Sequence, residues 1–569
     1  MREFSIPVLV DVPESANLAD TVFSRAEQQP DLVVIRRQDG DSWAPVTARD
    51  FRDQVAALAK GLIAAGVEPG DRVALMSRTR YEWTLIDYAV WAAGAVTVPI
   101  YETSSVEQVR WILTDSGAKA AFAELDGHVE TIREAMPELK HLWQVTDLPL
   151  AEADVPDSEL EARRSAPVGA DLATIVYTSG TTGRPKGCRI THDNLLFTAR
   201  NVAFGPLDPL FNDRSASALL FLPLAHIFAR VIQVVFVETG AVLAHTPNMK
   251  NVAPDLASFQ PSFLLGVPRV FEKVYNGAEQ KATADGKGKI FAKAAEVAIA
   301  HSRDGSHRFL HWVFDKLVYG KLRAATGGRL TAAVCGGSAL GERLGHFFRG
   351  VGIEVYEGYG LTETTAPCSV NMPGGNKVGT VGKPFPGVTL RIAEDGEVLA
   401  KGRHIFDGYW NNPAATAEAV DAEGWYHTGD VGELDSDGYL RITGRKKEIL
   451  VTAAGKNVAP APLEDVIRAH PLISQAMVVG ENRPFVGALV TLDPDALAQT
   501  PLSDVEIHAA VQSAIDAANL TVSRAEQIKK FTILDIDLTE ESGHLTPTLK
   551  IKRNLVLRDF APQIEALYS

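Results

Sequence analysis

Residues 177–187 read Tyr-Thr-Ser-Gly-Thr-Thr-Gly-Arg-Pro-Lys-Gly. Hydroxyls and glycines fill Thr178, Ser179, Gly180, Thr181, Thr182 and Gly183, and Lys186 follows between Pro185 and Gly187. Small residues let backbone N–H groups close on an anion, hydroxyls add donors, and a lysine adds a mobile positive charge. The natural ligand of such a set is a polyphosphate. The stretch is not a Walker loop. Arg184 and Pro185 separate Gly183 from Lys186, and Gly187 stands where a Ser or Thr is required.

Other stretches carry polar residues of chemical interest. In residues 334–340, VCGGSAL, an expected strand ends in Gly336, Gly337 and Ser338, where bare backbone can approach a flat base. Residues 356–365, YEGYGLTETT, hold Tyr359, Thr362 and Glu363. Residues 424–432, GWYHTGDVG, place Asp430 in a tight turn, and Arg445 follows Ile442-Thr443-Gly444. Taken singly, Glu363, Asp430 and Arg445 read as solvated groups. His226, inside the apolar run FLPLAHIFAR (221–230), reads singly as a satisfied core histidine.

In this order and rough spacing, the stretches resemble the signatures of the adenylate-forming (AMP-binding) superfamily. That superfamily holds acyl-CoA synthetases, firefly luciferases and the adenylation domains of peptide synthetases. FLPLAHIFAR, and FLLGVPRVFEKVY at 263–275, are similar to segments of bacterial long-chain fatty acyl-CoA synthetases. The resemblance runs from the first helices to Arg553. It implies that Thr178, Ser179, Gly180, Thr181, Thr182 and Lys186 hold the phosphates of ATP. Gly337 and Ser338 would border the adenine and Tyr359 would stack on it, a contact worth roughly 1–3 kcal/mol. Thr362 would meet the α-phosphate. Glu363 would hold Mg²⁺, a hard cation that prefers one or two carboxylates plus phosphate oxygens. Asp430 would accept both ribose hydroxyls, with Arg445 reaching the same sugar. His226 would lie beside the reacting carboxylate.

The same resemblance extends into the last quarter of the chain. Lys447 occupies the hinge position between a large and a small domain. Gly455, in AAGKNVAP (453–460), would meet the pantetheine arm of coenzyme A. Lys550, in LTPTLKIKR (545–553), matches the catalytic lysine. Leu549 departs from the family, where that position is usually Gly, and Lys552 is a competing candidate. The implied reaction has two halves: a fatty carboxylate attacks the α-phosphorus of ATP, then coenzyme A attacks the acyl-adenylate. Two other readings stand beside it, a fatty-acyl-AMP ligase serving a carrier protein and a non-catalytic fatty-acid-binding protein on the same fold.

These residues need a scaffold, and the pattern predicts an α/β one. Phe51, Val55, Leu58, Leu62 and Ile63 share a helical face after the cap candidate Thr47, and Gly66 with Pro69 ends it. Residues 72–76 predict a strand, 81–93 a helix, 95–100 a strand and 119–123 a strand. Ser105 and Gln108 predict a capping box, and 173–177 a strand that delivers the chain into the 177–187 loop. Residues 151–170 read as a surface connection. Strands alternating with helices predict layered sheets. The expected division is a large domain over 1–444 and a small mobile domain over 445–569. An insertion over about 277–323 reads as two helices, one rich in Lys and Ala, the other over 307–323.

Composition bounds the partners. At 569 residues the chain is long enough for several domains' worth of core. A formal charge of −15 argues against non-specific nucleic-acid binding. Three cysteines without metal-ligand spacing read as free thiols of a reducing compartment. No apolar run approaches the ~18–20 residues of a membrane span. The expectation is a cytoplasmic protein that uses ATP, Mg²⁺, coenzyme A and a long-chain fatty acid. Aromatics and cations in 307–323 add an expected peripheral contact with the inner face of the membrane.

Overall fold

The computed structural model describes residues 2–569 except 41, 151–154, 179–183, 206, 212, 214, 500–501 and 547–548. Among the described residues the strands form five sheets. One has six strands in the order His141–Gln144, Ala120–Ala123, Arg72–Met76, Val96–Ile100, Leu172–Thr178, Lys186–Thr191. All neighbours are parallel except the last pair. The nine-stranded sheet has six parallel strands at its centre: Val33–Asp39, Val242–His245, Ser217–Leu220, Phe263–Gly266, Ala332–Cys335 and Glu354–Leu361. The helices Tyr81–Ala92 and Ile227–Thr239 are apolar nearly all round, and a helix of that kind must be buried. Both lie in the one core that joins these two sheets.

Local signals set the element boundaries. Thr47 and Asp50 form a reciprocal cap on the helix Ala48–Ala64, and Ser105 with Gln108 does the same for Val106–Ser116. Phe51, Val55, Leu58, Leu62 and Ile63 are all buried. The surface connection expected over 151–170 is instead partly helical. Asp157–Ser165 is a helix with acids in its first turn, arginines in its last and Leu160 buried, an arrangement that suits the helix dipole.

The third sheet is antiparallel: Glu3–Ser5, Thr389–Ile392, Glu397–Lys401, Tyr426–Leu434 and Leu440–Arg445. Beyond it the chain builds separate cores. The sheet of Ile473–Val479, Val486–Leu492 and Ile528–Ile533 packs Ala476 and Val478 against Leu463 and Ile515 on one face. Met477 and Val479 pack against Val556 and Phe560 on the other. The period-2 alternation of the first strand accounts for both faces.

The insertion departs from the two helices expected. The Lys- and Ala-rich part comprises two helices, Pro268–Ala284 and Gly288–Asp304. The 307–323 part is broken into Arg308–Phe314, a π turn at Asp315–Tyr319 and Gly320–Ala325. Its inner side is packed: Tyr319 is fully buried and donates to the Ala294 carbonyl at 2.8 Å. Its outer side is not. Phe309, Trp312 and Leu317 are 73%, 60% and 56% exposed.

Candidate active site

Strand ends converge on a single continuous cavity of about 3790 Å³. Thr178 closes one parallel strand, Gly336 to Ser338 follow another, and Tyr359 lies near the end of a third. Crevices at the carboxyl ends of parallel strands are where open α/β sheets bind ligands.

The flanks of the 177–187 loop are clamped. Tyr177 donates to Asp115 Oδ2 at 2.7 Å, Trp111 Nε1 to the Pro185 carbonyl at 2.8 Å, and Trp410 N to the Gly187 carbonyl at 2.7 Å. Thr178 and Lys186 are direct cross-strand partners, and both line the cavity. Ser179, Gly180, Thr181 and Thr182 lie outside the described residues.

A second group sits opposite. Tyr359 donates to Asp430 Oδ2 at 2.6 Å, and Arg445 Nε meets Asp430 Oδ1 at 3.0 Å. Asp430 and Arg445 are register partners across the hairpin of Tyr426–Leu434 and Leu440–Arg445. The buried Asp430 carboxylate therefore already has a donor on each oxygen. Thr362 and Glu363 begin the turn Thr362–Thr364, held by Thr364 Oγ1, which accepts from Leu361 N at 2.8 Å. Gly360 is required here, because a Cβ would lie 1.7 Å from the Ala366 carbonyl oxygen. Glu363 Oε1 accepts from the Tyr409 hydroxyl at 2.8 Å.

His226 caps the helix Ile227–Thr239 by accepting the Phe228 N–H on Nδ1 at 3.2 Å. Its Nε2–H is then the ring's remaining polar group. Burial, with the positive charge of Lys550 second, pushes its pKa down to about 4, so the ring is neutral. His226 is a half-buried helix cap that also lines the cavity.

Lys550 enters from the C-terminal segment. Thr546 N donates to the Lys550 carbonyl at 2.8 Å, and Lys550 N to Thr546 Oγ1 at 3.1 Å, which closes a tight loop. Leu549 sits in that loop at φ +61, the left-handed region that glycine favours, at a cost of roughly 1–2 kcal/mol for an L-residue. A Gly at this position would fit without strain. The Lys550 side chain is accessible within the cavity yet ringed by protein. That surrounding mass, then Arg445, lowers its pKa, while Asp430, Glu448 and Glu363 pull it up.

The sites brought together are thus Thr178, Lys186, His226, Gly337, Ser338, Tyr359, Thr362, Glu363, Asp430, Arg445 and Lys550. Gly455 does not line the cavity. It lies at φ +76 in the turn between Leu450–Val451 and Asn457–Val458, with its N–H on the Thr452 carbonyl. Contacts between the parts include Arg269 Nη2 with Asp493 Oδ2 at 2.9 Å and Thr103 with Glu540. Lys447 lies in the junction turn Lys446–Glu448.

Sequence reading missed Tyr409 and Glu357. Nothing in the Gly-Tyr-Trp string at 408–410 signals a contact with Glu363. Glu357, beside Tyr356 in the motif, is buried in the cavity wall, accepts from Leu340 N at 2.9 Å and is pushed up to about 7, chiefly by burial. As a candidate magnesium site, Glu363 offers one carboxylate, held by the hydroxyl of Tyr409, whose ring lies under Lys186. Among the described residues no group of three or more His, Cys, Asp or Glu could hold a metal. A lone carboxylate would suit an ion whose remaining ligands came from nucleotide phosphates.

Residues 22–410 match the AMP-binding enzyme family, and residues 447–569 match its C-terminal domain family. The chain is 49% identical to the long-chain-fatty-acid–CoA ligase FadD15 of Mycobacterium bovis, with 100% of both chains covered. It is 30% identical to the human long-chain-fatty-acid–CoA ligase ACSBG1, covering 96% of this chain and 84% of that one. The anthranilate CoA ligase AuaEII in complex with anthranoyl-AMP superposes with a TM-score of 0.75 at 19% identity, covering 98% and 99% of the two chains. O-succinylbenzoate coenzyme A synthetase of Bacillus subtilis, with ATP and magnesium ion, gives 0.70 at 20%, covering 94% and 98%. At such identities the last two speak for the fold alone.

Proposed function

The chain belongs to the AMP-binding enzyme family, and we propose that it is a long-chain-fatty-acid–CoA ligase whose chemistry runs in the cavity described above. The observation that carries this is the meeting of Lys186, Glu363, Asp430, Arg445 and Lys550 in one cavity that apolar side chains also line. Val231, Ile232, Leu256, Val274, Ala278 and Phe291 supply that apolar wall.

In the first half-reaction a carboxylate oxygen attacks the α-phosphorus of ATP. The new P–O bond forms as the bond to pyrophosphate breaks. The nucleophile and the phosphates are both anionic, so fixed cations are the main lever. Lys186 holds the phosphates, and Lys550 bears on the α-phosphate and the incoming carboxylate. Asp430 and Arg445 hold the ribose, with Tyr359 on the adenine. Mg²⁺, when bound through Glu363, supplies further charge neutralisation. His226 is neutral and offers a hydrogen bond to the carboxylate rather than a charge. In the second half-reaction the coenzyme A thiol attacks the acyl carbon and AMP leaves with the electron pair of the broken C–O bond.

The described pose has Lys550 in the cavity and Gly455 outside it, which suits the first half-reaction. The second requires the part of the chain beyond the junction turn Lys446–Glu448 to swing about Lys447, leaving Arg445 on its strand beside Asp430. The separate cores on that side support such a motion. We place the enzyme in the cytoplasm, in keeping with Cys188, Cys335 and Cys368 as free buried thiols. The exposed Phe309, Trp312 and Leu317, flanked by exposed Arg308, Lys316 and Lys321, would give it reversible contact with an anionic bilayer. No described helix is long and apolar enough to cross a membrane.

The decisive experiment measures pyrophosphate release and thioester formation across a panel of carboxylates. Each methylene buried is worth ~0.8 kcal/mol, so kcat/KM should climb steeply towards acids of roughly twelve to twenty carbons. Acetate or coumarate outperforming palmitate would overturn the substrate class. Acyl-adenylate accumulating in the presence of coenzyme A would point to a carrier-protein acceptor instead.

A further inference from the structure

Tyr409 touches two of the proposed nucleotide residues at once. Its hydroxyl donates to Glu363 Oε1 at 2.8 Å, and Lys186 Nζ sits 4.8 Å from its ring centroid. Its backbone is fixed from several sides. Arg189 N donates to the Gly408 carbonyl at 2.9 Å, and Trp410 N to the Gly187 carbonyl at 2.7 Å, so Tyr409 pairs with Cys188 in an isolated antiparallel bridge on the strand Lys186–Thr191. Tyr409 N donates to Thr416 Oγ1 at 2.8 Å. The preceding Phe406 packs edge-on to its ring at 4.8 Å and donates its N–H to the Glu363 carbonyl at 2.8 Å. One short segment is therefore stitched both to the strand that leaves the phosphate loop and to the turn that carries Glu363.

An ammonium and a carboxylate facing one protein-walled cavity attract each other, and a direct pair would use up the donors and acceptors that a nucleotide needs. Lys186 and Glu363 form no such pair with each other among the described residues. The phenol stands between them, giving its π face to the cation and its hydroxyl to the anion. We propose that Tyr409 is a positioning residue that holds Lys186 and Glu363 apart and aimed, so that the triphosphate and its Mg²⁺ are recognised as one unit. This rests on the roles proposed above for Lys186 and Glu363.

The test separates ring from hydroxyl by measuring ATP binding calorimetrically in the absence of fatty acid, once in EDTA and once in a Mg²⁺ titration. Tyr409→Phe keeps the ring and should leave metal-free ATP affinity within about twofold of wild type, while the Mg²⁺ needed for half-maximal enhancement rises about tenfold or more, the scale for losing a partner behind a metal ligand. Tyr409→Leu should add a loss of metal-free affinity, because Lys186 is no longer held. An unchanged Mg²⁺ requirement in Tyr409→Phe, or equal losses with and without metal, overturns the proposal. Lys186→Ala and Glu363→Gln serve as controls. If neither alters ATP binding or its Mg²⁺ dependence, the roles assigned to those two residues fail, and this inference with them.

Discussion

Arg230 and Asp87 form an ion pair with both side chains completely buried. Arg230 Nε donates to Asp87 Oδ2 at 3.0 Å, and Nη1 donates to Thr174 Oγ1 at 2.5 Å. Trp83 and Trp91 each lie 5.3 Å from the guanidinium carbon. Arg230 belongs to the helix capped by His226, and Thr174 to the strand that leads into the 177–187 stretch. One buried cation thus ties the acid-binding side of the proposed site to its phosphate-binding side.

Breaking that pair from one side leaves a charge without a partner in the core. Arg230→Met or Asp87→Asn should each cost about 3–5 kcal/mol of stability, read from urea midpoints. The double change Arg230→Met with Asp87→Leu should recover much of the loss. Single variants within ~0.5 kcal/mol of wild type would show that the pair contributes little.

The two half-reactions should separate by mutation. Lys550→Ala should slow pyrophosphate release by ~10²-fold or more, while thioester formation from presynthesised acyl-adenylate is nearly untouched. Gly455→Leu should do the reverse. Its Cβ meets nothing within 4 Å in the present pose, although φ +76 makes the position strained for leucine. If both variants lose both steps equally, the swing about Lys447 is wrong. A defect in Lys552→Ala but not in Lys550→Ala would move the catalytic assignment by two residues.

Adenylation should have a basic limb below the ordinary lysine value of 10.5, because surrounding protein and Arg445 depress Lys550. Only the protonated amine stabilises the phosphate charge, so kcat/KM, which reports the free enzyme, falls as pH rises through the lowered pKa. Arg445→Gln removes the opposing charge and should move the limb upward. A limb that stays in place would assign it to another group.

Glu357 makes stability pH-dependent in the opposite sense from a salt-bridged carboxylate. Its folded pKa of about 7 lies above the ordinary 4.5. The contribution is therefore fully present below pH 4.5 and lost as pH rises through 7, a difference of up to about 3 kcal/mol. Glu357→Gln should flatten the decline in the urea midpoint between about pH 4.5 and pH 7. Parallel slopes for variant and wild type would dispose of this account.

Flotation with liposomes tests the insertion surface. Wild type should float with anionic vesicles and release at high salt, and Phe309→Ser with Trp312→Ser should not float, with folding unaffected because both rings are exposed. Equal flotation by both proteins, or by neither, removes the membrane contact.

Much of this protein was legible in its sequence because the relevant signals are local. A capping box spans three residues, and the reciprocal bonds of Thr47 with Asp50 and Ser105 with Gln108 follow from that spacing. The β-branched run ahead of Thr178 had to be a strand. The departure at Leu549 could be seen, but its meaning awaited φ +61. What the chain order could not express is which distant groups meet. Tyr359 finds Asp430 across 71 residues, and Tyr409 finds Glu363 across 46, because separate sheets and the turn Thr362–Thr364 pack together only in the folded chain. Helicity at Asp157–Ser165 rested on docking Leu160, which no short-range pattern announced. The insertion's aromatics had a helical period but no declared face. Tertiary packing chose Tyr319 for the core and left Phe309 and Trp312 outside, because only one side of those turns lies against the helix Gly288–Asp304. Which of Lys550 and Gly455 occupies the cavity is likewise a matter of how two separately cored parts dock. A contact between such parts depends on surfaces assembled from the whole chain, so it exists only in the folded molecule.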